Sequence, residues 1–166
     1  MKNILKYLIT GVCILTMQIN TQAQTTKEMQ KAEESAMVKN VIDGRNYTFV
    51  AQSMIPMSGM MRQLTGLYDL TVSDNEVVSF LPYMGRIYMP MIDPMNDGPL
   101  RFTSKDFTYK ANADSKKGWT ISIKPNDVRT VREFTLNVQD DGRATLQVSG
   151  NDRQPITFYG YIETTV

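Results

Sequence analysis

Histidine is absent from this chain of 166 residues, and its one cysteine, Cys13, lies in the first apolar segment. Without imidazole there is no Ser-His-Asp or Cys-His nucleophile, no imidazole zinc site, and no side chain that titrates unperturbed near neutral pH. Most hydrolytic mechanisms are excluded. Carboxylate acid/base work, lysine or tyrosine chemistry, or no chemistry at all remain. A long apolar run is also missing: the stretch from Tyr7 to Ile19 has 13 residues, too short to span a bilayer but right for the hydrophobic part of a signal peptide. Lys2 and Lys6 supply its positive start, and Thr21-Gln22-Ala23 offers small residues before a cut. Residues 1–23 are therefore expected to be a signal peptide cleaved near Ala23, with the mature chain beginning at Gln24 and ending up periplasmic or secreted. A lipid on Cys13 is the competing reading. Against it, Val12 stands where a small residue is expected and the apolar run continues beyond. Membrane association would follow only from such lipidation.

An excess of positive charge is lacking too. Cleavage removes Lys2 and Lys6 and no acid, leaving 16 Lys+Arg against 17 Asp+Glu and a net charge of −1. On that balance no basic field holds nucleic acid or an anionic membrane surface. The cut also takes away Cys13, so the mature chain has neither disulfide nor thiol chemistry. At 143 residues it is long enough to bury a core in a single domain without staples.

What the chain does have is alternation. Leu70 and Val72 alternate with Asp69, Thr71 and Ser73; Asp74-Asn75-Glu76 interrupts; then Val77 to Leu81 runs back, a strand, turn and strand. Before it, Asn46 to Ile55 reads as a strand with Tyr47, Phe49, Ala51 and Ser53 on one face, ended by Pro56. After it come Leu100–Phe102, Phe107–Ala111, Trp119–Lys124, Val131–Val138, Ala144–Ser149 and Ile156–Glu163. Asp141-Gly142 between two alternating runs is a strong hairpin signal. Ile156, Phe158, Gly160 and Ile162 share one face of the last run, opposite Tyr159 and Tyr161. These connections are too short for crossover helices, so the reading is an all-β antiparallel meander of eight to ten strands over residues 45–166, closed as a barrel or folded as a two-sheet sandwich. Residues 24–44 precede it as a short helix or a tether, with Met29, Ala32, Ala36 and Met37 as the apolar stripe of the helix.

The stretches NYTFVAQSMIPMSG at Asn46, QLTGLYDLTVSDNEVVSFLPYMGRIY at Gln63, LRFTSKDFTY at Leu100, KKGWTISIKPNDVRTVREFTLNV at Lys116 and GRATLQVSGNDRQPITFYGYIE at Gly142 resemble an exported family of unknown function typical of Bacteroides-type Gram-negative bacteria. The resemblance covers most of the mature chain. It implies an envelope β-domain and supplies no catalytic or binding residues.

Methionine is in excess: eight of the chain's 12 lie between residues 54 and 95, namely Met54, Met57, Met60, Met61, Met84, Met89, Met91 and Met95. Thioethers suit Cu(I), but no spacing here is diagnostic, and methionine also fills irregular gaps or lines adaptable apolar surfaces. Tyr83, Arg86 and Tyr88 sit in a Pro- and Gly-broken stretch where they form either a pocket rim or a bulge, with Arg86 then paired to Asp93 or Asp97. Asp93, Asp97, Asp106 and Glu163 are the carboxylates available for glycoside-type chemistry, and each also suits an ordinary turn or strand end. The expectation is a non-catalytic envelope domain without cofactor or metal. It binds a small apolar ligand or an envelope protein through Met57, Met60, Met61, Tyr83, Arg86, Tyr88, Met89 and Met91, or else is a structural envelope protein whose loops only close one end of the fold.

Overall fold

A computed structural model describes residues 29–57, 59–88, 100–114 and 118–164; among these, nine strands arise where the alternation runs and a tenth, two residues long, in the connection after Pro56. The expected signal peptide, with Cys13 and Ala23, and the segment carrying Met89, Met91, Asp93, Met95 and Asp97 lie outside the described residues. A helix, α1, spans residues 29–43. The strands are β1 (Tyr47–Pro56), β2 (Arg62–Gln63), β3 (Asp69–Val72), β4 (Val77–Phe80), β5 (Arg101–Ser104), β6 (Phe107–Asp114), β7 (Gly118–Pro125), β8 (Glu133–Gln139), β9 (Arg143–Ser149) and β10 (Ile156–Thr164).

All pairings are antiparallel, in the order β5-β4-β3-β1-β10-β9-β8-β7-β6, with β2 flanking β1. The chain is thus a meander whose first and last long strands pair along nearly their whole length, from Tyr47↔Thr164 to Pro56↔Ile156. The sheet curls into a nearly closed barrel whose remaining opening lies between β5 and β6. Contacts cross the interior: the hydroxyls of Tyr47 on β1 and Tyr109 on β6 are 3.4 Å apart, and the rings of Phe102 on β5 and Phe134 on β8 are tilted at 6.0 Å.

Inward positions follow the period of two. Tyr47 and Phe49 on β1, Leu70 and Val72 on β3, Ile121 and Ile123 on β7, Phe134 and Leu136 on β8, Leu146 on β9 and Phe158 on β10 are buried without residual exposure. Each such side chain contributes about 1.5–3 kcal/mol by leaving water. Together they fill the barrel, which makes its centre a packed core and not a lumen.

The expected face of β1 holds only as far as Ala51. Ala51 pairs with Gly160 but Ser53 with Tyr159, so Gln52 is an extra residue, a bulge that flips the remaining side chains. Met54, opposite Phe158, therefore points inward and is fully buried, while Ser53 faces outward and is covered by β2 through its pairing with Gln63. Pro56, expected to end the strand, is its last residue and still pairs, across from Ile156. The segment from Tyr83 to Tyr88 does not extend β4; Ile87 bridges Arg153 instead.

The helix turns a different side inward from the one expected. Val38 and Ile42 are buried against the barrel, Val38 lying over Gly142 at the β8–β9 turn, whereas Met29, Ala32, Ala36 and Met37 face water. Both stripes have helical spacing. Proximity to the open end of the sheet near Tyr47 selects the β-branched one.

Candidate functional site

Four connections that are far apart in sequence meet at the end of the barrel marked by Pro56 and Ile156. They are residues 57–61 leading into β2, residues 81–88, residues 126–132, and residues 150–155. Strand register brings them there: Pro56 pairs with Ile156, Ile156 with Val148, Val148 with Phe134, and Phe134 with Ile123.

Residues 81–88 form a strap fastened across residues 150–155. The Tyr88 amide donates to Asp152 O at 2.7 Å, and the Gln154 amide donates to Arg86 O at 3.1 Å. The Tyr83 hydroxyl is shared between Arg86 O at 2.9 Å and Gln154 O at 3.0 Å. Burial pushes the Tyr83 hydroxyl pKa upward, only partly offset by Arg153. On the other sides, Arg62 Nη1 approaches Met84 Sδ at 3.6 Å, and the Arg132 amide donates to Ser149 O at 2.8 Å. A Cβ on Gly150 would lie 2.8 Å from Thr130 O, so the 126–132 and 150–155 connections touch.

Beneath the strap lies Arg153, nearly the whole of it buried. Its Nε and Nη2 donate to the Asp152 carboxylate at 2.8 and 2.9 Å, and its guanidinium stands 5.4 Å from the Tyr83 ring centroid. The ion pair holds the Asp152 carboxyl below its ordinary value, chiefly through the hydrogen bond from Arg153. A buried charge needs such a partner. Arg153 Nη1, Gln154 Oε1 and Thr130 Oγ1, all buried, have no hydrogen-bond partner among the described residues.

Above the strap the surface is apolar and cationic. Met57, Met61, Met84, Ile87 and Tyr88 are exposed, and Met60 is 87% exposed, free of neighbours on nearly every side. Arg62, Arg86, Arg129 and Arg132 are exposed among them. Among the described residues of these connections the acids are Asp152, tied to Arg153, and Asp127, which is turned aside. Asp127 accepts from the Ser104 hydroxyl and from the amides of Lys105 at 2.9 Å and Asp106 at 3.3 Å, capping the β5–β6 corner. These bonds, the Ser104 hydroxyl first, keep its carboxyl below the ordinary value.

The opposite end, near Tyr47 and Thr164, carries the reverse charge. Glu33, Glu34 and Asp43 on α1, Asp74 and Glu76 in the β3–β4 turn, Asp140 and Asp141 in the β8–β9 turn, and Glu163 gather there, against Lys31, Lys39, Arg45 and Arg143. Lys39 is spent on Asp43 and Arg143 on Asp141.

The site residues expected from sequence thus divide. Met57, Met60, Met61, Arg86 and Tyr88 converge on one rim; Tyr83 is a half-buried bolt of the strap; Met89 and Met91 lie outside the described residues. Met54, grouped with the loop methionines in the sequence, belongs to the core. Of the carboxylates, Asp106 accepts from Asn126 Nδ2 at 2.9 Å within the β5–β6 corner. Glu163 lies at the far end, where it raises the Tyr161 hydroxyl pKa. They do not face each other. Sequence reading missed Arg153, Asp127 and the arginines of the rim. The one available signal was that five of the eight arginines fall in these connections or in β2 beside them.

Comparison with known proteins adds a family and a fold. Residues 29–162 match the model of DUF4251, a domain of unknown function. The crystal structure of a DUF4251 family protein from Bacteroides eggerthii DSM 20697 superposes with a TM-score of 0.57 at 11% identity, covering 80% of this chain and 89% of that one. At that identity the likeness speaks for the fold. No curated protein matches the chain.

Proposed function

The chain belongs to the DUF4251 family of domains of unknown function, and we propose that it is an exported, non-catalytic domain of the cell envelope that docks onto a partner through the rim described above. The observation that carries this reading is the exposure of Met57, Met60, Met61, Met84, Ile87 and Tyr88 on connections that the strand register gathers at one end. Scattered single apolar residues are ordinary, but a contiguous set rimmed by charge marks an interaction surface. The packed centre favours capture outside the barrel over enclosure of a small apolar ligand within it. Methionine suits a surface that must adapt, being unbranched and polarizable.

The absence of histidine and cysteine from the mature sequence and the dispersal of Asp106 and Glu163 support a role without chemistry. A purely structural role draws support from Met54 and Tyr83, which pack and pin the end of the barrel, but it leaves the exposed thioethers without a purpose.

A photo-crosslinking amino acid at position 60, with position 75 in the β3–β4 turn as control, tests the reading in the producing cell. Adducts at 60 and none at 75 are the expected result. Equal labelling at both positions, or none at either, removes the rim as a docking surface.

A further inference from the structure

Resting on that reading of the rim, we infer that its partner is an anionic lipid surface, onto which the barrel settles with the Pro56 end down and the α1 end away. Three observations point there. The first is the segregation of charge among the described residues. Arg62, Arg86, Arg129 and Arg132 stand exposed around the apolar tips, while Glu33, Glu34, Asp74, Glu76 and Asp140 stand exposed or part-exposed at the far end. An anionic plane attracts the first group and repels the second, so the field both binds and orients the molecule.

The second is the manner of exposure. Met57 and Met60 stand free of walls among the described residues, at 71% and 87% exposure. Fixing a methionine in one rotamer against a folded protein costs up to about 2 kcal/mol of side-chain entropy. Hydrocarbon accepts the same side chain without fixing it. Apolar tips on separate loops, with Tyr88 placed where an aromatic ring and its hydroxyl meet the headgroups, suit shallow insertion.

The third is the cation itself. The exposed basic side chains of residues 57–62, 82–88, 126–132 and 150–155 are all arginine, whose planar guanidinium meets phosphate oxygens in pairs, as lysine does not. Arg153 is not part of this contact; buried under Tyr83 and bound to Asp152, it holds the strap that presents Ile87 and Tyr88.

The test is flotation of the mature chain with vesicles of phosphatidylglycerol in phosphatidylcholine, and with phosphatidylcholine alone. Binding to the anionic vesicles is expected, falling with added salt, with little or none to the zwitterionic ones. Arg62→Gln together with Arg86→Gln should weaken partitioning roughly 25-fold, about fivefold for each arginine near the surface. Met57→Gln together with Met60→Gln should lower it at every salt concentration, and Asp74→Asn should not lower it. Unchanged melting of all variants by circular dichroism shows that the fold is retained. Equal binding to both vesicle types, or indifference to the rim variants, overturns the inference. If vesicles do not bind while the crosslinker at position 60 captures a protein, lipid is excluded and the rim stands; if neither occurs, both fall.

Discussion

Gly160→Ala tests whether the β1–β10 pairing is what closes this fold. Gly160 lies on β10 opposite Ala51, next to the bulge at Gln52, and an added Cβ there would fall 1.8 Å from Val50 O and 2.9 Å from Val50 C. Both neighbours are backbone, so no side chain can swing aside. Restoring van der Waals contact requires the two strands to part locally by roughly 1.5 Å, enough to break ladder bonds that sit near 2.9 Å. Losing about two of them at ~1 kcal/mol each, with the strain of displacing core side chains such as Phe49 and Phe158, gives a destabilisation of about 3–4 kcal/mol. For a domain of this size that corresponds to a fall in Tm of roughly 10 °C. Urea unfolding followed by tryptophan fluorescence and calorimetry would measure it. Gly59→Ala is the control, since its Cβ would meet only Pro56 side-chain atoms at 3.5 Å or more. A loss at Gly160 below about 1 kcal/mol, within the range of ordinary surface changes, would mean that β1 and β10 do not pair as described.

Gly142→Ala places a side chain at φ +80°, and a loss of about 1 kcal/mol in urea unfolding is expected. Asp127, Asp141 and Asp152 all have depressed carboxyl pKa values. The stability they contribute is present above the unfolded value near 3.8 and is lost as pH falls through their folded values; Asp127→Asn should therefore cost stability at pH 7 and much less near pH 2, read as the urea midpoint at both. Tyr47 has the reverse sign: burial raises its pKa well above 10.0, so its contribution is complete below pH 10 and declines above it, and Tyr47→Phe should flatten the alkaline loss in a pH-melting series. Thr130→Val removes a buried hydroxyl that has no partner among the described residues and is expected to raise stability by about 1 kcal/mol; a fall of that size would show the hydroxyl to be bonded in solution.

Features written locally were legible in the sequence, and features written by juxtaposition were not. Asp141-Gly142 specifies its hairpin through the backbone conformation of Gly142, and the alternation in β7, β8 and β10 names the inward residues because a strand has only two faces. A helix offers more. In α1 the Met29–Met37 stripe and the Val38–Ile42 stripe have equally good spacing, and only the position of the β8–β9 turn and Ile162, brought close by strand pairing, decides which is buried. The bulge at Gln52 was invisible for a like reason: it lies in the pairing of β1 with β10, beside the close approach of Gly160 to Val50 from more than a hundred residues away in sequence.

Net charge shows the same limit most sharply. Summed over residues 24–166 it is −1, a balance that offers no basic field. The fold does not sum charges; it sorts them. Arg62, Arg86, Arg129 and Arg132 are separated by up to 70 residues, yet the rows Pro56–Ile156–Val148–Phe134 and Ile87–Arg153 draw their connections to one end. The turns carrying Asp74, Glu76 and Asp140 go to the other by the same register. β5 and β6 run in the same direction and do not pair, so the alternation of turns between the two ends is broken there, and only the strand register shows which connections share an end. For such a fold, charge is better read end by end, as the register sorts it, than over the whole chain, and among the described residues one end is basic and apolar and the other acidic.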